Sequence, residues 1–135
     1  MAESEELELL NAMDKWIKAF ENKDVNSAYE VEKNVIGFGW RTHNFRDRSQ
    51  IDEADFKRGI EKLNDTMKEW QGSYQNLGSR IIGDTGLLCG IFTEKITGLD
   101  GSVNTVKVRY SSTWMKIDGE WIQVMGHRDA QFEIP

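Results

Sequence analysis

From Tyr74 to Gln131 the chain repeats one arrangement, in which strand-like runs alternate with very short turn signals. Residues 74–82, 87–97, 103–115 and 121–131 are rich in β-branched and aromatic side chains, and "GDTG", "GLDGS" and "DG" divide them. Each divider supplies the Gly or Asp that tolerates turn conformations. Connections this short leave only antiparallel neighbours, so nearly half of the chain is committed to one hairpin-connected sheet.

The residues before this run read differently. Leu10, Met13, Ile17 and Phe20 recur at three- and four-residue intervals with Leu9 and Trp16 beside them, which predicts an amphipathic helix over about residues 4–21. "ENKD" ends that pattern, and Asp24 is placed to cap a short second helix running through Tyr29 and Val31. "NVIGFGWR", residues 34–41, reads as a first strand, and "THNFRDRSQ" as the loop after it. Phe56, Ile60, Leu63, Met67 and Trp70 are spaced 4, 3, 4, 3, which predicts a third helix over about residues 53–70. Helices followed by hairpin-connected strands make an α+β plan, with helices covering one face of a curved antiparallel sheet.

At 135 residues, 39% hydrophobic and 30% charged, the chain has the size of one domain with one core. Its net charge of -6 argues against nucleic acid, whose phosphates need clustered Lys and Arg, and against a basic membrane-binding patch. No apolar run approaches the length that spans a bilayer, and the acidic start lacks the positive region of a signal peptide, so a cytoplasmic protein is expected. The acidic residues Glu3 to Glu8 read as a solvated helix end that complements the helix dipole. Cys89 is the only cysteine; it sits in the apolar run Leu87 to Ile91 and reads as a buried, inert thiol. His43 and His127 lack the spacing of a zinc motif, and neither a metal nor another cofactor is expected.

Strand parity selects the candidate site. With a three-residue turn at Ile117, Asp118 and Gly119, and Gly119 left-handed, Trp114 faces Ile122 and Val108 faces Arg128. One face of the hairpin then carries Val106, Val108, Tyr110, Ser112 and Trp114 against Ile122, Val124, Gly126 and Arg128. The other carries Arg109, Met115, Trp121, Met125 and His127, a Trp, Met and Arg composition that suits a subunit interface. In the preceding strand Glu94 lies between Phe92 and Ile96, and folding about Gly101 sets it opposite Val108, about 10 Å from Arg128 across the middle strand. Charges on an apolar face are normally paired or functional. Two readings follow: a Glu94 and Arg128 pair that stiffens the fold, or a site with Glu94 as general base and Arg128 and Tyr110 holding a substrate oxygen. Slipping the register by one residue would exchange the two faces.

The closing segment has the form W-x3-DG-x-W-x5-HR, with Trp114, Asp118, Gly119, Trp121, His127 and Arg128 on the pattern. Together with the opening helix leading into "ENKD" and the long helix ending at Trp70, it resembles the nuclear transport factor 2-like superfamily. Within that superfamily it is most similar to SnoaL-like and ketosteroid-isomerase-like proteins and to the association domain of calcium/calmodulin-dependent protein kinase II. The resemblance implies a cone, a strongly curved sheet wrapped around three N-terminal helices, with a pocket that serves as an enzyme site, a small-acid site or a protein interface. It also implies a homodimer or larger homo-oligomer built through the outer sheet face. Arg128 falls on one of the arginines with which the kinase association domain holds small carboxylates, whereas two others fall on Glu94 and Ser112. Scytalone dehydratase and polyketide cyclases use His and Asp pairs, but here His127 and Asp129 share the outer face on the parity above. The expected function is thus small-molecule binding, by a carboxylate or a polar hydrophobic compound, in a cofactor-independent isomerase, cyclase or dehydratase. The alternative is a non-catalytic oligomerisation module. Ser112, Trp114, Trp70, Tyr29 and Trp40 are the candidate ligand walls beside Arg128, although tryptophans at positions such as Trp16, Trp40 and Trp70 are more often core than wall. His43, Arg46 and Arg48 lie in a loop whose charges read by default as solvated, with a lid over the cone as the alternative.

Overall fold

The computed structural model describes residues 2–35 and 53–130. Three helices, α1 (Ala2–Glu21), α2 (Val25–Glu32) and α3 (Glu53–Asp65), precede four strands, β1 (Met67–Ile82), β2 (Thr85–Gly98), β3 (Val103–Ile117) and β4 (Glu120–Ala130). The strands form one antiparallel sheet in the order β1-β2-β3-β4, as a chain of hairpins requires. This is the α+β architecture expected. Most of "NVIGFGWR" and all of "THNFRDRSQ", including Trp40, His43, Arg46 and Arg48, lie outside the described residues.

Helix α1 buries Leu9, Met13, Ile17 and Phe20 against the concave face of the sheet, where they meet Trp70, Leu88, Phe92, Val108, Trp114 and Trp121. It ends in a Schellman motif: the N–H of Asp24 donates to the carbonyl of Ala19 and that of Lys23 to Phe20. The left-handed position belongs to Lys23 (φ 54) rather than to a glycine. Its ammonium donates to the carbonyls of Asn64 (3.3 Å) and Met67 (2.8 Å), tying the end of α1 to the junction of α3 and β1. The strain of that backbone position is offset by two charge-assisted hydrogen bonds. Asp24 caps α2 as expected, accepting from the N–H of Ser27 at 3.1 Å.

Helix α3 stops at Asp65, five residues before its expected end, and Thr66 closes it by donating to the Leu63 carbonyl through both N–H and hydroxyl. Met67 and Trp70 belong to β1, where an irregularity between Met67 and Glu69 leaves both facing the core. A bulge of this kind separates two inward strand residues by three positions, which copies a helical interval.

The closing hairpin turns on two residues rather than three. Asp118 (φ 52) and Gly119 (φ 82) are both left-handed, the signature of a type I′ turn, and Ile117 pairs with Glu120. That change by itself would put Arg128 outside. A bulge at Val124 reverses it: Trp114 pairs with Gln123, Thr113 with Met125 and Tyr110 with Arg128. The inward set of β4 is therefore Trp121 and Gln123, then Gly126 and Arg128. Trp121, expected at the interface, is instead 8% exposed and part of the core. Met115, Met125, Arg109, His127 and Asp129 remain on the outer face, exposed.

Candidate functional site

The concave face carries a small set of polar groups among its aromatic rings. Arg128 reaches Glu94 with two guanidinium contacts, Nη2 to Oε2 at 2.8 Å and Nη1 to Oε1 at 3.4 Å. The two do not share a row as expected: Glu94 pairs with Val106 and Phe92 with Val108, while Arg128 pairs with Tyr110, four residues further along β3. The ion pair spans this offset diagonally, with Glu94 largely covered and the arginine side chain about half exposed. Among the described residues Arg128 therefore already has its counter-ion, which is the geometry of the stiffening pair.

Tyr110 is anchored to the neighbouring strand. Its hydroxyl donates to Gln123 Oε1 at 3.0 Å, and Gln123 is 2% exposed. The room for that hydroxyl comes from Gly126, since a β-carbon there would stand 2.3 Å from the Tyr110 oxygen. Gly126→Ala should push the ring off Gln123 and destabilise the fold by roughly 1–3 kcal/mol, the usual penalty for overpacking, read as a lower denaturation midpoint. Gly90 does the same for Tyr74, whose hydroxyl would lie 2.7 Å from a β-carbon at that position.

Other expected wall residues make contacts of their own within the protein. Trp114 is buried and its Nε1 donates to Ser112 Oγ at 2.8 Å, so these two satisfy each other inside the core. Trp70 stacks on Phe92 at a centroid distance of 6.1 Å, and Tyr29 meets Phe56 edge-on at 5.5 Å. Cys89, expected to be buried, is exposed on the outer face.

The group missed from the sequence is Glu32, at the last position of α2 and only 6% exposed. Its Oε1 accepts a hydrogen bond from Trp16 Nε1 at 2.6 Å. Burial pushes its carboxyl from the ordinary 4.5 up to about 7, against the pull of the indole hydrogen bond. The Tyr110 hydroxyl is raised as well, first by burial and then by the neighbouring Glu32 charge, with Arg128 acting in the opposite sense. The available signal was its phase, since Glu32 lies one turn after Ala28 on the face that α2 buries.

The outer face offers a different surface. A groove of about 440 Å³ runs along it, lined by Arg80, Leu87, Cys89, Thr113, Met125 and His127 among others. His127 Nε2 lies 2.8 Å from Asp129 Oδ1 on that side, both well exposed. No helix among the described residues is long and apolar enough to cross a membrane.

Solved structures confirm the fold at low identity. A nuclear transport factor 2-like superfamily protein from Salmonella enterica is 15% identical, with 100% of this chain and 96% of that one covered and a TM-score of 0.74. A provisionally assigned scytalone dehydratase from Novosphingobium aromaticivorans is 8% identical, with 96% and 85% covered and a TM-score of 0.80. The calcium/calmodulin dependent protein kinase II association domain of C. elegans is 16% identical, with 95% and 97% covered and a TM-score of 0.66. No curated protein matches the sequence. The family model of the calcium/calmodulin dependent protein kinase II association domain matches residues 5–132, nearly the full length, and the chain belongs to that family.

Proposed function

We propose that this chain is an assembly domain that pairs with a second copy of itself through the outer face of its sheet. The observation that carries this reading is the outer face, where Leu87 and Met125, 38% and 50% exposed, line the groove with Cys89 and Thr113, and Met115 on the same face is 43% exposed. Exposed apolar side chains grouped on one sheet face are the usual mark of a protein contact. Membership of an association-domain family supports the same reading. In light scattering at micromolar concentration the chain should show at least twice its 15.6 kDa mass. The double variant Leu87→Glu, Met125→Glu should weaken association at least tenfold while keeping the far-ultraviolet spectrum of the parent. A parent chain that stays monomeric sinks the reading.

A second reading rests on Glu32. A carboxyl buried beside Trp16 and Tyr110 is a feature that a purely structural core avoids, because each buried ionisable group costs desolvation energy. It supports a small-molecule site on the concave face. In that reading the proton-transfer role moves to Glu32 from Glu94, which Arg128 already engages.

A further inference from the structure

We infer that the outer sheet face near the β2–β3 turn, around Lys95, Lys107 and Arg109, docks the acidic start of α1 from another copy of this chain. This is a head-to-tail contact, and it goes beyond the apolar pairing proposed above, which uses the other end of the same face. Strand parity sets the cationic side. Lys95 follows the buried Glu94 on β2, and Lys107 and Arg109 flank the buried Val108 on β3, so each points outward and is exposed. Thr93 pairs with Lys107 and Lys95 with Thr105, which makes the two lysines diagonal neighbours, roughly 7 Å apart. Among the described residues the carboxylates bordering this patch are Asp129 and Glu69. Asp129, opposite Arg109, meets His127 at 2.8 Å, and Glu69, opposite Thr97 at the rim, follows Lys68 in the chain. Like charges gathered on one face repel each other and favour an anionic partner. Val103, on the same face, and Leu99, in the turn, are 53% and 71% exposed and add apolar surface beside the cations.

The complementary surface belongs to the same sequence but stands elsewhere on the molecule. Helix α1 holds Glu5, Glu6, Glu8 and Asp14 ahead of its first cation, Lys15, and Leu7, between two of these carboxylates, is 59% exposed. The positive end of the helix dipole, roughly half a charge, is outweighed by this group. Helix α1 packs on the concave side, and its start lies by the other end of the sheet, where Glu8 approaches Lys116 at 3.5 Å and Leu9 covers Gly86. Gly86 and Lys95 stand roughly 30 Å apart along β2. Within one chain the acidic and cationic surfaces are therefore on opposite sides and at opposite ends, and they can meet only between copies. A contact of this type joins unlike surfaces, so it repeats and carries the assembly beyond a pair.

The test measures mass by light scattering in about 0.05 M and about 0.5 M NaCl. The parent chain should exceed two copies of 15.6 kDa at the lower salt and fall to two at the higher. The reversal Lys95→Glu, Arg109→Glu and, separately, Glu5→Lys, Glu6→Lys should each weaken the contact at least tenfold and leave a dimer. Mixing the two variants in equal amounts should restore the larger species, because each then meets the opposite charge. A parent dimer whose mass ignores salt and both reversals, or a mixture that stays dimeric, overturns the head-to-tail contact and leaves the apolar pairing standing. An assembly that survives Leu87→Glu, Met125→Glu but dissolves on either charge reversal keeps this contact and removes that pairing. A parent chain that is monomeric at both salt concentrations overturns both.

Discussion

At pH 8 the Glu32→Gln variant should be more stable than the parent chain by about 3 kcal/mol, while at pH 4 the two should differ by little. The sign follows from which state holds the proton. In the folded chain the carboxyl keeps its proton up to about pH 7, whereas in the unfolded chain it ionises near 4.5. Between those values the folded state binds more protons, so stability falls as pH rises from about 4.5 to about 7 and then levels off. A raised value of this size corresponds to about 3 kcal/mol lost across that window. Glutamine can still accept from Trp16 Nε1 but carries no charge, so the variant loses this part of the pH dependence. Urea midpoints of both chains at half-unit pH steps give the comparison. A parent chain whose stability does not fall between pH 5 and 7.5 relative to the variant would show that Glu32 is not held neutral in the folded state.

Trp114→Ala should produce the largest single loss, about 3–5 kcal/mol, enough to leave the chain partly unfolded at room temperature. Trp114 is 2% exposed, so the substitution opens a cavity, and it strips Ser112 Oγ of its indole donor. The neighbouring Trp121 provides the contrast. Its Nε1 is buried with no hydrogen-bond partner among the described residues. Trp121→Phe therefore removes an unsatisfied donor along with some volume, and should be milder than Trp114→Phe, which breaks a satisfied pair. Thermal melts of the three variants decide this, and equal losses for the two Phe variants would contradict the assignment of those bonds.

The order of elements was legible because turn chemistry and apolar spacing agree with one another along most of the chain. Asp24 had an acceptor side chain just ahead of α2, and "GDTG", "GLDGS" and "DG" marked every hairpin. Boundaries and faces failed where one sequence signal fits two geometries. Asp-Gly suits both a two-residue and a three-residue turn, since Asp tolerates the left-handed region. The helical spacing of Met67 and Trp70 arose from a strand irregularity. Nothing in residue type at Val124 announced a bulge, yet it returned Arg128 to the concave face after the shorter turn had sent it away. Two misjudged steps cancelled for Arg128, Met125 and His127, but not for Trp121, which lies between the turn and the bulge. At the candidate site Arg128 and Glu94 were found from charge on an apolar face. Glu32 was hidden because an eight-residue helix carries too little periodicity to tell a covered glutamate from a solvated one.

The bulge at Val124 also divides β4 into two segments that can change independently. Residues on the turn side set the packing around Trp121 and Gln123, while those beyond it present Arg128 to Glu94 and Met125 and His127 to the opposite side. Reshaping the hairpin tip need not disturb either distant surface, provided this extra residue absorbs the difference in phase. A domain arranged in this way can gain or lose a partner on one side of its sheet without rebuilding what lies on the other.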